Sequence, residues 1–342
     1  MLRLPAFRHV APVAVDEVLA LLAECGPRAR LLAGGTDLLP NLKHGIEEAE
    51  VVVSLQHVAE LAGVRAEPGG ALRLGAMTTL DELSRDAQVT AAAPSLAAAA
   101  GLVAGPHHRR MGTLGGNVCL NTRCVYINQT HFWRQSLGYC LKKDGDVCHV
   151  VKGGKRCVAA ASNDTAPVLL TLRASLELGS AARGRRELPL ADFFIKDGVY
   201  NKTLAADELL LSVRVPLQPA GQRAAYLKLR PRDSIDFPRL GVAVAYVLRD
   251  AAGRPVPASA EPPAGATVHD LRIAVTALAA VPQLLRDVSE LAEGRAPDAA
   301  LWADLAESAY KQCHPLTNID GDPAWRREMV AVYVQRALAG AG

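Results

Sequence analysis

Four cysteines, Cys124, Cys140, Cys148 and Cys157, stand 16, 8 and 9 positions apart, and Cys119 brings five of the chain's seven cysteines into the stretch from 119 to 157. Such local crowding under reducing conditions points to metal or redox chemistry rather than to disulfides. Four soft thiolates converging from one loop suit either Zn²⁺ or an iron–sulfur cluster, and spacing alone leaves both open. The tight cysteine pairs usual in structural zinc are missing. Between 124 and 157 six basic side chains (Arg134, Lys142, Lys143, Lys152, Lys155 and Arg156) face two acidic ones, Asp144 and Asp146. Positive charge of this kind stabilises an anionic cluster, tunes its potential and attracts an acidic electron donor. Tyr126, Phe132, Trp133 and Tyr139 are expected to pack around the site. His131 and His149 are rival ligands that a full set of cysteines makes unnecessary, and Cys25 and Cys313 read as buried packing thiols.

A second chemistry is suggested by two glycine pairs about 80 positions apart, in Gly34-Gly35-Thr36-Asp37-Leu38 and Thr113-Leu114-Gly115-Gly116-Asn117. Glycines lacking Cβ let successive backbone N–H groups approach a diphosphate, and each loop is expected to follow a strand. Neither fits G-x-G-x-x-G, and neither carries a Walker lysine. Each alone is an ordinary tight turn, so the pairing carries the argument. No Ser/His/Asp, Cys/His or HExxH arrangement stands out, which leaves the hard chemistry to cofactors.

The elements that position these residues follow from periodicity. Apolar spacing predicts helices over 13–25, 80–87, 91–104, 282–293, 298–310 and 324–339, the second opened by a capping box of Thr79 and Glu82. Strands are expected over 29–33, 51–55, 71–77 and 209–217, then in antiparallel succession over 224–230, 240–249 and 268–278. Residues 119–157 show no sustained period and read as an insertion; regular structure resumes over 166–178. The pattern is α+β, with a domain boundary near residue 219. At 342 residues and 50% hydrophobic content, two cores are within reach, and 38 basic against 35 acidic side chains give no reason to expect nucleic acid or an anionic membrane as partner. No apolar run approaches the roughly 18 residues of a membrane span, so a cytoplasmic location is expected.

LLAGGTDLLPNLKHG (31–45), LGAMTTLDEL (74–83) and RRMGTLGGNVC (109–119) resemble the FAD-binding subunits of the xanthine oxidase family of molybdenum hydroxylases. The likeness extends to DTAP at 164–167, to residues 227–243 and to 325–338. It implies a two-subdomain FAD-binding fold of the vanillyl-alcohol oxidase type over 1–219, with an inserted loop over 119–158. A C-terminal α+β domain with an antiparallel sheet and helices would follow over 220–342. By the same likeness Leu31, Leu32, Ala33, Gly34, Gly35, Thr36, Asp37 and Leu38, with Thr113, Leu114, Gly115, Gly116 and Asn117, would line the diphosphate and ribityl chain of FAD. Asp164 would accept a hydrogen bond from the cofactor, and Lys228 would lie near the flavin.

Most of that family has no such insertion. Residues 126–157 resemble the β subunits of its 4-hydroxybenzoyl-CoA reductase branch, in which four cysteines at this spacing hold a [4Fe-4S] cluster. That resemblance makes Cys124, Cys140, Cys148 and Cys157 the ligands. It further implies a molybdopterin-binding large subunit, a [2Fe-2S] small subunit, and ferredoxin as donor for reductive dehydroxylation of 4-hydroxybenzoyl-CoA in anaerobic aromatic degradation. The alternatives are the FAD subunit of a xanthine, aldehyde or N-heterocycle dehydrogenase, and a non-redox module stapled by zinc.

Overall fold

The computed structural model describes residues 2–341. Apolar residues at helical spacing in VDEVLALLAEC fold as α1 (Val15–Cys25), which buries Val15, Val18, Leu19, Leu22 and Cys25 along one face. It is the crossover of a parallel sheet in the order β1 (Arg8–Val10), β3 (Val51–Ser54), β2 (Ala29–Leu32). The central strand is buried at every position. The first glycine loop leaves β2 and leads into α2 (Leu38–Lys43).

A second, antiparallel sheet has the order β4-β5-β8-β6-β7, from β4 (Val64–Ala66), β5 (Leu72–Gly75), β6 (Ser175–Ser180), β7 (Gly184–Pro189) and β8 (Glu208–Val215). Between β5 and β6 run α3 (Leu80–Arg85), α4 (Ala87–Ala92), α5 (Pro94–Gly101), α6 (Pro106–Met111), α7 (Leu114–Val118), α8 (His131–Ser136) and α9 (Thr165–Thr171). Thr79 and Glu82 form the expected capping box of α3. One sheet face packs with Leu83, Leu96, Leu114 and Leu169, all fully buried. The other carries cross-strand ion pairs, among them Arg73–Glu177 and Arg214–Glu67.

The third sheet is an antiparallel meander of β9 (Gln222–Leu229), β10 (Leu240–Arg249) and β11 (Thr267–Thr276) with the short β12 (Gln283–Leu284) beside β11. Only Arg249 escapes burial along β10, because both sheet faces are covered. Tyr226, Ala243 and Ala274 join the core of α5 and α9 on one side. On the other side α11 (Ala299–Gln312) and α12 (Pro323–Ala339) close a separate core around Leu240, Ile273, Leu305 and Val334, with α10 (Val288–Ala292) at its edge. Helices thus flank an antiparallel sheet, as layered packing requires.

Several expectations need correction. The helix expected over 91–104 is two helices, because Pro94 offers no N–H to continue α4 and instead opens α5. The helix expected over 282–293 starts as a strand, since Gln283 and Leu284 pair with β11. The second glycine loop follows helix α6, not a strand, and forms the first turn of α7. Within 119–157, α8 is the regular element among the described residues, and the segment is closed at its neck by paired backbone bonds of 2.7 Å between Arg123 and Ala160. Among the described residues no helix is long and apolar enough to cross a membrane.

Candidate functional site

A cleft of about 530 Å³ opens between the β2–α2 loop, the α6–α7 turn and the ends of β5 and β8; clefts of this size hold small molecules and cofactors. The glycine loops press directly on one another: a Cβ on Gly34 would lie 1.7 Å from the Met111 carbonyl oxygen. The two loops are not equivalent. Among the described residues the N–H groups of Gly34, Gly35, Thr36 and Asp37 have no acceptor, so they form an open nest for anionic oxygens. The second loop spends its amides internally: Leu114 donates to Thr78, Gly115 to Ala76, and Gly116 to the Thr113 hydroxyl. Asn117 Oδ1 accepts from the Thr165 amide at 3.1 Å and hydroxyl at 2.6 Å, which fastens α7 to α9.

Of the residues singled out in the sequence, Leu31, Ala33 to Leu38, Thr113, Gly115 to Asn117 and Asp164 line this cleft. Leu32 alternates away from Leu31 on the strand, and Leu114 is fully buried in the core. Lys228 is likewise absent from the wall, although it was expected near the flavin. Its ammonium is enclosed and donates to Asp164 Oδ2 at 3.0 Å and to the Leu102 carbonyl at 3.1 Å. Tyr226 donates to the other oxygen of Asp164 at 2.7 Å. Burial pushes Asp164 up and Lys228 down, and the ion pair between them opposes both shifts. Tyr226 was missed by sequence reasoning; its signal is the two-residue alternation that puts it on the same face of β9 as Lys228.

At one end of the cleft Arg123 pairs with Asp37 and lies 5.1 Å over the Phe237 ring, with burial lowering it to about 10. At the same end Asn121, Cys119 and Lys202 line the wall. Burial holds the Cys119 thiol near 11, with Lys202 pulling the other way.

Just beyond lies the loop read from the sequence as an insertion. Cys124, Cys140 and Cys157 share one small apolar cluster with Ile127 and Ala159, and Cys148 is buried nearby. All four are free thiols. Burial, first of all, lifts Cys124 to about 11, and the Tyr126 amide pulls it back. The Val125 amide bonds the Asn318 carbonyl at 2.7 Å, tying the loop to the C-terminal part. Among the described residues no three His, Cys, Asp or Glu side chains are placed to hold a metal ion. Tyr126 packs on the cysteines as expected, whereas Phe132 is 79% exposed and Trp133 also points outward. His149 is engaged by the Tyr139 carbonyl at 2.7 Å. Cys25 and Cys313 are buried in the two other cores.

Comparison with known proteins gives consistent matches over nearly the whole chain. The family model described as FAD binding domain in molybdopterin dehydrogenase matches residues 5–218, and that of the CO dehydrogenase flavoprotein C-terminal domain matches residues 225–341. The carbon monoxide dehydrogenase medium chain of Hydrogenophaga pseudoflava is 31% identical over 98% of this chain and 97% of its own. The xanthine dehydrogenase FAD-binding subunit of Escherichia coli O157:H7 is 31% identical over 69% of this chain and 66% of its own. A solved structure of carbon monoxide dehydrogenase from H. pseudoflava, lacking the Mo-pyranopterin moiety of the molybdenum cofactor, aligns with a TM-score of 0.78. It is 28% identical and covers 99% of this chain and 98% of that one.

Proposed function

The chain belongs to the FAD-binding subunits of the molybdenum hydroxylases, which are oxidoreductases, and on that premise we propose that it carries two electron carriers, FAD in the glycine-lined cleft and a [4Fe-4S] cluster on the inserted loop. The free amides of Gly34 to Asp37 suit the diphosphate, with the Thr36 hydroxyl beside them. Thr113 and Gly115 to Asn117 line the adjoining wall. Asp164 offers the cofactor a carboxylate whose direction is set by Tyr226 and whose charge is set by Lys228. When bound, FAD supplies one- and two-electron redox chemistry. We place the division between the FAD-binding part, 1–219, and the C-terminal part, 220–342, in the connector between β8 and β9.

The observation that supports the second carrier is four buried free thiols on one loop. Cys124, Cys140, Cys148 and Cys157 are the proposed ligands, and soft thiolates are what iron and sulfide require. By likeness to the carbon monoxide dehydrogenase medium chain, a molybdopterin-binding large subunit and a [2Fe-2S] small subunit are the proposed partners. The substrate binds to another chain. The resemblance of residues 126–157 favours 4-hydroxybenzoyl-CoA, reduced to benzoyl-CoA with ferredoxin as donor, the loop being the point of electron input. The identity to medium chains of other substrate classes supports a second reading, an FAD subunit that passes electrons outward.

Anaerobic purification with the partner subunits, followed by FAD, iron, zinc and sulfide analysis, separates the readings. The expected result is one FAD, and about four iron and four sulfide that vanish in Cys140→Ala while FAD remains. Zinc, or no metal on this chain, returns the second reading.

A further inference from the structure

Between the cleft and the cysteine loop lies a chain of polar groups that neither proposed binding site uses. Lys142, two positions after Cys140, spends its ammonium protons on neutral oxygens: Asn121 Oδ1 at 2.9 Å, Thr122 Oγ1 at 2.8 Å and the Gly198 carbonyl at 2.5 Å. Thr122 and Gly198 are buried. Gly198 touches the cysteine site, since a Cβ there would lie 2.5 Å from Cys157 Sγ and its amide bonds the Cys157 carbonyl at 2.8 Å. From Asn121 Oδ1 the chain continues to Asn201 Nδ2 at 3.3 Å, and Asn201 Oδ1 accepts from Lys202 Nζ at 2.6 Å. Lys202 lines the cleft.

The charges around this chain do not cancel. Glu47, which accepts from Asn121 at 3.2 Å, is already paired with Arg30, and Asp37 is paired with Arg123. Lys142 and Lys202 have no carboxylate within ion-pair distance among the described residues. Half-buried ammonium groups lacking a carboxylate partner are costly to keep charged unless an anion completes the site. One of the two faces the cysteines and the other the cleft.

We propose that Lys142 and Lys202, joined through Asn121 and Asn201, form a fixed cationic bridge between the two carriers, Lys142 serving the group on the cysteines and Lys202 the group in the cleft. A fixed positive charge favours the more negative, reduced state of its neighbour and so raises that neighbour's potential. The effect falls with distance, so each lysine acts mainly on its own side. Both are positioning residues, acting through charge rather than by ligation. The inference rests on the four-cysteine reading above.

The test is redox titration of the assembled enzyme, with the iron–sulfur signal followed by electron paramagnetic resonance and the flavin by visible absorbance. Lys142→Met lowers the midpoint of the cluster on this chain more than that of the flavin; Lys202→Met gives the reverse pattern; Lys142→Arg stays near the parent enzyme. Loss of iron from Lys142→Met but not from Lys142→Arg supports the same assignment. If Lys142→Met does not assemble, Lys142→Gln, which keeps a donor toward Asn121, carries the same expectation. Unchanged midpoints, or equal shifts of both carriers in both neutral variants, overturn the bridge. A parent enzyme without the four-cysteine iron refutes the underlying reading before any substitution is made, and the bridge with it.

Discussion

Asp164 is the residue on which two halves of the chain converge. Tyr226 and Lys228 satisfy one carboxylate oxygen each, and all three side chains are enclosed. Because the pair is buried, removing one partner costs more than the pair itself contributes: the remaining charge stays where water cannot reach it. Lys228→Met is therefore expected to destabilise the protein by about 3–5 kcal/mol, read by urea unfolding. Combining it with Asp164→Asn recovers part of the loss, since the uncompensated charge is then gone. A loss below about 1 kcal/mol in the single variant, the level of an exposed pair, would show that the carboxylate is not held as an ion.

Two short loops, rather than a long Gly-rich helix entry, build the cleft wall. Their close contact depends on hydrogen at Gly34, where any Cβ meets the backbone of Met111, and backbone cannot turn aside as a side chain can. Gly34→Ala forces the β2–α2 loop away from the α6–α7 turn. The expected cost is about 1–3 kcal/mol, as for other overpacked sites. Displacing the free amides of the first loop should also weaken FAD binding by about tenfold, or 1.4 kcal/mol. Urea unfolding and titration of the deflavinated enzyme with FAD measure the two effects. Unchanged FAD affinity in a measurably destabilised variant would mean that the first loop supports the fold without binding the cofactor.

Across the whole molecule the third sheet is shared property: one face completes the core of α5 and α9, and the other closes on α11 and α12. Backbone bonds from Ala161 to Ala279, from Ala277 to Ala161 and from Val125 to Asn318 cross the same boundary. A fragment ending at residue 219 loses Tyr226 and Lys228 from Asp164 and uncovers the apolar sides of α5 and α9. Such a fragment is expected not to fold cooperatively, in contrast to an autonomous domain. Near-UV circular dichroism and thermal unfolding decide the matter, and a sharp transition with native aromatic signals would contradict the shared core.

Much of the fold was legible because its signals are local. The apolar period of α1, α11 and α12, the apolar runs of β3 and β10, and the capping box of α3 each specify structure within a few residues. An FAD-binding chain was legible too, from the pair of glycine loops and the family likeness they carry, while the four cysteines on an aperiodic stretch give an expectation only. Only the tertiary structure decided how those groups are used. Tyr226 lies 62 positions from Asp164, Asn201 lies 80 from Asn121, and Arg123 lies far in sequence from its partner Asp37. No local pattern encodes such meetings. The same holds for the glycine loops, alike in sequence, of which one keeps its amides open to the cleft and the other spends them on Ala76 and Thr78. A backbone amide is identical in every residue type but proline, so its partner is set by where the chain passes rather than by what the residue is.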